Sequence, residues 1–271
     1  ERSRGLGDVY KRQIMLRYLG VDLNIYKPQF IQRRLTIRMK ALNINNIDEY
    51  IAILRKDPRE LNMLLDNLTI NVSQFFRDPH VWRVVEEEVF KPLIKLKSSK
   101  GNKLIRIWSA GCSRGEEPYT ISIILHEILG PSIKDFMITI YATDIDPNAI
   151  KSAKLAAYDM GSLVNVPKHI LGKYFRYDRI RNKYYLKDFV KRIVKFQVHD
   201  VTTNPPFSHI DVIFCRYLLI YLSKETQLKV VTNFSRVLNS RGFLILGSPE
   251  FLPEDLYNIF TVVNLKARIY R

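Results

Sequence analysis

Four carboxylates are spaced so that a strand–helix fold would gather them. Glu116 and Glu117 follow the turn in "SAGCSRGEEPY", Asp144 closes "MITIYATD", and Asp200 closes "RIVKFQVHD". Gly111 and Gly115 let the first of these turns tighten and approach a ligand closely. The turn is not the Gly-x-Gly-x-x-Gly of dinucleotide binders, and it lacks the Lys-Ser/Thr of a phosphate loop. Acids also suit a helix N-terminus for purely structural reasons. However, two of them would repel a pyrophosphate and welcome a cation. An acid at the end of the second strand is placed to accept hydrogen bonds from both ribose hydroxyls. One at the end of the third is placed to accept from an adenine amino group. Together they favour a cationic nucleoside, and S-adenosylmethionine has that chemistry: no phosphate, a sulfonium and an ammonium.

The elements that must position these acids are legible from Ile105 onward. "LIRIWSAG" reads as a strand and "GEEPYTISIILHEIL" as the helix after it, with Pro118 and both acids in its first turn. "MITIYATDID" is a second strand, and Asp146-Pro147 opens the next helix. "RIVKFQVHD", "IDVIFCR" and "GFLILGS" are third, fourth and fifth strands, and "FTVVNLKARIYR" a closing hairpin. Such alternation implies a doubly wound, mostly parallel α/β sheet whose ligands bind at the carboxyl ends of the strands.

Residues 14–70 read instead as helical. Ile31, Leu35, Met39 and Leu42 form one apolar stripe at helical spacing. Arg33 and Lys40 fall opposite it, and Arg34 and Arg38 lie at its margin. That basic face is either simply solvated or a docking surface for something acidic. A second helix is expected over Ile47–Arg55, with Asp48 near its start. A third is expected over Pro58–Leu68, with Asp57 as N-cap. Residues 1–13 carry no apolar periodicity.

"NPPF", residues 204–207, resembles the loop with which some enzymes methylate amino groups of nucleic-acid bases. In those enzymes it leaves the carboxyl end of strand four. Here it precedes that strand, at the opposite edge of the sheet, so it reads as an entry turn. The segment that does leave strand four is "CRYLLIYL".

Composition bounds the rest. The 271 residues, 46% of them apolar, suffice for a packed domain with a smaller one beside it, and the net charge of +16 is spread along the chain. A basic surface attracts nucleic acid, acidic lipid or acidic protein alike. Cys112 and Cys215 have no metal-ligand spacing, so neither a metal site nor a disulfide is expected, and a reducing cytoplasm is. No apolar run approaches the roughly 18 residues of a membrane span. His80, His126, His169, His199 and His209 form no cluster and read as structural.

"NVSQFFRD", "IWSAGCSRGEEPYTISI", "ATDIDPNAI" and "IDVIFCRYLLIYL" together resemble the chemotaxis receptor methyltransferases, the CheR family, from about Ile14 to Arg271. The resemblance implies a Rossmann-like class I methyltransferase sheet with a small helical N-terminal domain (14–70). A linker contacting the cofactor (71–80) would lead to a catalytic domain (81–271) bearing a small antiparallel β excursion (173–196). It implies methylation of glutamates on the cytoplasmic part of methyl-accepting chemotaxis receptors, with S-adenosylmethionine converted to S-adenosylhomocysteine. No nucleic-acid partner, membrane insertion or metal is implied. By the same resemblance Asn71, Ser73 and Arg77 would close over the cofactor, and Glu117 with Glu116 would face its amino-acid end. Asp144 would hold the ribose, and Asp200 with Val201 would flank the adenine. Arg216 and Tyr217 would line the methyl end, with Tyr221 near the acceptor and Arg77 beside it in catalysis. Arg33, Arg34 and Arg38 would dock the receptor. In one departure, the family's Arg-Asn after strand four is Arg216-Tyr217. Other readings are a nucleic-acid methyltransferase and a non-catalytic cofactor-sensing scaffold.

Overall fold

The structure, a computed structural model, describes residues 23–68 and 73–271. They fall into two compact units. One holds the residues up to 68 with Tyr221–Gln227, the other residues 73–220 with Leu228–Arg271.

In the first unit, helices α1 (Pro28–Ala41), α2 (Ile47–Lys56) and α3 (Pro58–Leu68) surround a small core. Ile31, Tyr50, Ile51, Leu54, Leu64 and Leu68 are buried in it, with Leu35 and Met39 packed against them. The apolar stripe therefore faces inward as its spacing predicts. Leu42 does not: it caps α1 beyond the last helical turn and is exposed. Asn46 caps α2 by accepting from the Asp48 amide at 2.8 Å. Asp57 caps α3 by accepting from the Arg59 amide at 2.9 Å, with Pro58 in the first turn.

The second unit is built on a seven-stranded sheet. Its strands are β1 (Leu104–Ala110), β2 (Met137–Asp144), β6 (Val194–Val198), β7 (Ile210–Cys215), β8 (Leu238–Leu246), β9 (Val262–Asn264) and β10 (Ile269–Tyr270). Their order is β6-β2-β1-β7-β8-β10-β9. The first five are mutually parallel, and the final pair is antiparallel. All six residues of β7 are buried, as expected for a central strand covered on both faces. Helices α4 (Pro79–Val85), α5 (Lys91–Ser99) and α6 (Glu116–Leu129) contribute to the main core around Ile105, Ile107, Ile140 and Phe214. Helix α7 (Pro147–Leu155) opens where Asp146 accepts from the Asn148 amide at 2.7 Å.

A separate three-stranded antiparallel sheet, ordered β3-β5-β4, combines Ala157–Tyr158 (β3), Phe175–Asp178 (β4) and Lys183–Leu186 (β5). Its hairpin falls within the expected excursion, and its third strand comes from upstream. Strand order reverses between β1 and β7, so the crevice between their carboxyl ends is the expected ligand site. Among the described residues no helix is long and apolar enough to cross a membrane.

Candidate active site

The turn after β1 is tied to the end of β2. The Gly111 and Cys112 amides both donate to the Thr143 carbonyl, at 2.8 and 2.9 Å. The Ser113 amide donates to Asp144 Oδ2 at 2.8 Å, and the Asp146 amide to Oδ1 at 3.0 Å. Asp144 is thus fixed at the end of β2 by two backbone amides. Burial raises its carboxyl pKa, against the pull of those amides.

Gly115 swings the chain into α6 at φ +92, and a Cβ there would lie 3.0 Å from that of Ala153. Only glycine fits, and the two acids that follow are carried inward. Glu116 is 1% exposed, and its Oε2 finds no hydrogen-bond partner. Burial lifts its pKa to about 7, partly offset by its own amide and by Arg114. Glu117 accepts from Ser109 Oγ at 2.8 Å and lies 3.6 Å from Arg216 Nη1. Burial also raises the Glu117 pKa, and Arg216 holds it back.

Arg216, which leaves β7, donates to Asp78 Oδ2 at 2.7 Å and to the Arg77 carbonyl at 3.2 Å. One cation therefore bridges acids from the β1 turn and the 73–78 turn. The Tyr217 hydroxyl donates to the same Asp78 oxygen, and Ser248 Oγ reaches it at 3.2 Å. The Arg77 guanidinium carbon sits 3.3 Å above the centre of the Tyr217 ring. Ser73 opens the described part of this turn and is half-buried, whereas Asn71 lies outside the described residues.

Asp200 departs from expectation. Strand β6 stops at Val198, which pairs with Asp144, the last residue of β2, its one strand partner among the described residues. The His199 amide still donates to the Asp144 carbonyl at 3.0 Å, and the chain then turns. Asp200 Oδ1 accepts from the Thr202 amide and hydroxyl, at 2.9 and 2.8 Å, with half-buried Val201 between them. Residues 204–207 do precede β7: Phe207 stacks on Tyr141 at 4.1 Å and meets Trp108 edge-on at 5.6 Å. The tetrapeptide is packed against the sheet as an entry turn.

The remaining predicted residues belong to the helical unit. Tyr221 ends the turn Leu219–Tyr221, accepts from the Lys27 amide at 2.8 Å through its carbonyl and lies 4.9 Å from the Phe30 ring. Arg33 is exposed, while Arg34 is half-buried with its guanidinium over Phe30. Arg38 is engaged internally, donating to Glu60 at 3.0 and 2.6 Å.

Sequence reasoning missed Asp78 and Glu250. Asp78 precedes a proline and reads as an ordinary helix cap, yet its carboxylate makes no cap bond and serves Arg216 and Tyr217 instead. Glu250 is 3% exposed and accepts the amides of Tyr217, Gly247 and Ile220. No local pattern announces it.

The acids after β1 and at the end of β2, Glu116 buried and Glu117 and Asp144 half-buried, suit a cationic nucleoside. Glu116 keeps an unpartnered oxygen, and Glu116, Glu117 and Asp144 outnumber their one buried cation, Arg216. Comparison with known proteins agrees. Residues 71–269 match the CheR methyltransferase SAM-binding domain, and residues 12–69 the CheR methyltransferase all-alpha domain. A chemotaxis protein methyltransferase of Borreliella burgdorferi is 31% identical, the match covering 88% of this chain and 85% of that protein. Chemotaxis protein methyltransferase 2 of Vibrio cholerae is 32% identical, over 85% and 80% respectively. An uncharacterized 104.1 kDa protein of Rhodobacter capsulatus is 29% identical over 91% of this chain, which spans only 25% of that larger protein.

Proposed function

The chain belongs to the CheR methyltransferase family, and on that premise we propose that it methylates glutamate side chains on the cytoplasmic part of chemotaxis receptors. The observation that carries the reading is the set of carboxylates after β1 and at the end of β2, Glu116 buried with one oxygen unpartnered and Glu117 and Asp144 half-buried.

Bound S-adenosylmethionine supplies a methyl group on a positively charged sulfur. Asp144 would hold the ribose hydroxyls, and Asp200 with Val201 would flank the adenine. Glu116 and Glu117 would face the ammonium. Asn71, Ser73 and Arg77 would close over this site, with Arg216 and Tyr217 at its methyl end. An acceptor glutamate has an ordinary pKa near 4.3 and is already ionised at neutral pH. The protein therefore needs no base to deprotonate it, only groups that align it and exclude water. Arg77 would grip that carboxylate through paired hydrogen bonds, and the Tyr221 hydroxyl would steady it. Arg33, Arg34 and Arg38 would dock the receptor; exposed Arg33 and Lys40 line a shallow depression along α1 with Gln29, Gln32, Thr36 and Ile37.

Transfer of labelled methyl from S-adenosylmethionine tests the proposal, with a receptor cytoplasmic fragment and RNA as alternative acceptors. The expected result is label on the receptor fragment that alkali removes, as it would from an ester. Alkali-stable label, or label on RNA alone, contradicts it.

A further inference from the structure

Tyr217 stands where the resemblance implies an asparagine, and its surroundings give the ring a task. Its backbone is left-handed, at φ +61, a conformation uncommon for a bulky residue and associated with functional constraint. Glu250 holds it there, accepting the Tyr217 amide at 2.8 Å and the Gly247 amide at 2.6 Å. A Cβ on Gly247 would lie 2.7 Å from the Tyr217 nitrogen, so this approach needs glycine. The ring is pinned at its far end by the hydroxyl, which donates to Asp78 Oδ2. It is pinned on one face by Arg77 at 3.3 Å. At that separation a guanidinium can only lie flat on the ring. A flat stack spends no hydrogen-bond donors, and the N–H bonds run in the guanidinium plane, past the rim of the ring. That plane is the one in which a carboxylate is met by two parallel hydrogen bonds.

We infer that Tyr217 is a positioning residue: its ring is a shelf that fixes the plane of the Arg77 guanidinium, and its hydroxyl locks that shelf to Asp78. The inference deepens the proposed function, because it takes from that reading the role of Arg77 as a contact to carboxylate groups. An asparagine at this position adopts the left-handed backbone more readily but offers no shelf. Neighbouring Phe76 and Asp78 are also left-handed, at φ +52 and +57, so the turn that carries Arg77 is irregular on both sides of it.

The test is a double-mutant cycle read by calorimetric titration of S-adenosylmethionine, with thermal melts to confirm folding. Tyr217→Leu should weaken binding roughly fivefold in the otherwise unaltered chain, the upper end of the range for an exposed cation–π contact. In the Arg77→Ala background it should change binding less than about twofold. Tyr217→Phe keeps the shelf and should recover most of the affinity. Should Tyr217→Leu not fold, Tyr217→Asn removes the ring while suiting the backbone, and the same coupling is expected. Equal effects with and without Arg77 would overturn the inference. The cycle uses cofactor alone, so it stands apart from the receptor assay. Additive losses sink the role of Tyr217, while failure to label receptor sinks the proposed function.

Discussion

Glu60 in the helical unit and Glu116 in the sheet unit are equally deep, at 4% and 1% exposure, and are treated in opposite ways. Glu60 receives two hydrogen bonds from Arg38 and one from the Tyr50 hydroxyl at 2.7 Å. Its pKa falls, with the Arg38 hydrogen bonds as the largest cause. Glu116 keeps an unpartnered oxygen, and burial raises its pKa to about 7. A buried acid that serves stability has its charge answered within the fold. One left unanswered, beside other acids in a cleft, marks a place where the answering charge comes from outside.

The strongest way to break this contrast is to remove the partner of Glu60. Arg38→Ala should destabilise the protein by about 3 kcal/mol, because it strands a buried carboxylate. Denaturant unfolding at pH 7 checks this. The loss should shrink on acidification below pH 4.5, since a lowered carboxylate pKa contributes stability above the unfolded value that disappears as pH falls.

Glu116 should show the opposite sign. A carboxyl raised from 4.5 to about 7 supports the fold below pH 4.5 and loses that contribution as pH rises through 7. The shift corresponds to about 3 kcal/mol. Glu116→Gln should therefore gain stability relative to the unaltered protein between pH 5 and pH 8, by up to that amount. Equal pH profiles for the two proteins would mean that Glu116 is ionised in the free crevice after all.

Asp144→Ala sharpens the functional side of the contrast. Loss of hydrogen bonds to a charged acceptor should weaken S-adenosylmethionine binding by about 1.5–3 kcal/mol, roughly 10- to 150-fold, in a variant that still folds. The smallest effect belongs to Arg33→Ala. Exposed and on the outer face of α1, it should leave thermal stability unchanged. Receptor methylation should weaken at low salt and converge with that of the unaltered protein at high salt.

How far the sequence carried depended on the range of the interaction. The sheet, the Asp144 position at the end of β2 and the Asp57 cap of α3 follow from local pattern and turn chemistry and were readable, whereas the Asn46 cap of α2 was passed over for Asp48. Asp200 was placed too close to its strand, because where β6 ends is set by the length of β2. Leu42 continued the apolar spacing but fell just past the end of α1. Partnerships that span the fold left no signal. Arg38 looked like a margin residue until α3 brought Glu60 to it. Arg216 reaches Asp78 across 138 positions, and Glu250 reaches the Tyr217 amide across 33. Spacing identifies faces and ends of elements; it does not say which charges are answered.

The most direct measurement is proton exchange when S-adenosylmethionine binds. Titrations at pH 6.5, in two buffers of different ionisation enthalpy, would report it. The ligand's α-amino group is already protonated there and cannot take up a proton, so comparison with Glu116→Gln is what assigns a release to that carboxyl. A cation entering beside Glu116 should draw its pKa down and release about half a proton or more, with affinity rising as pH approaches 7. The same titration on Glu116→Gln should show that release largely gone. No release, or net uptake, from the unaltered protein would contradict the claim that Glu116 is left unanswered for a cationic cofactor.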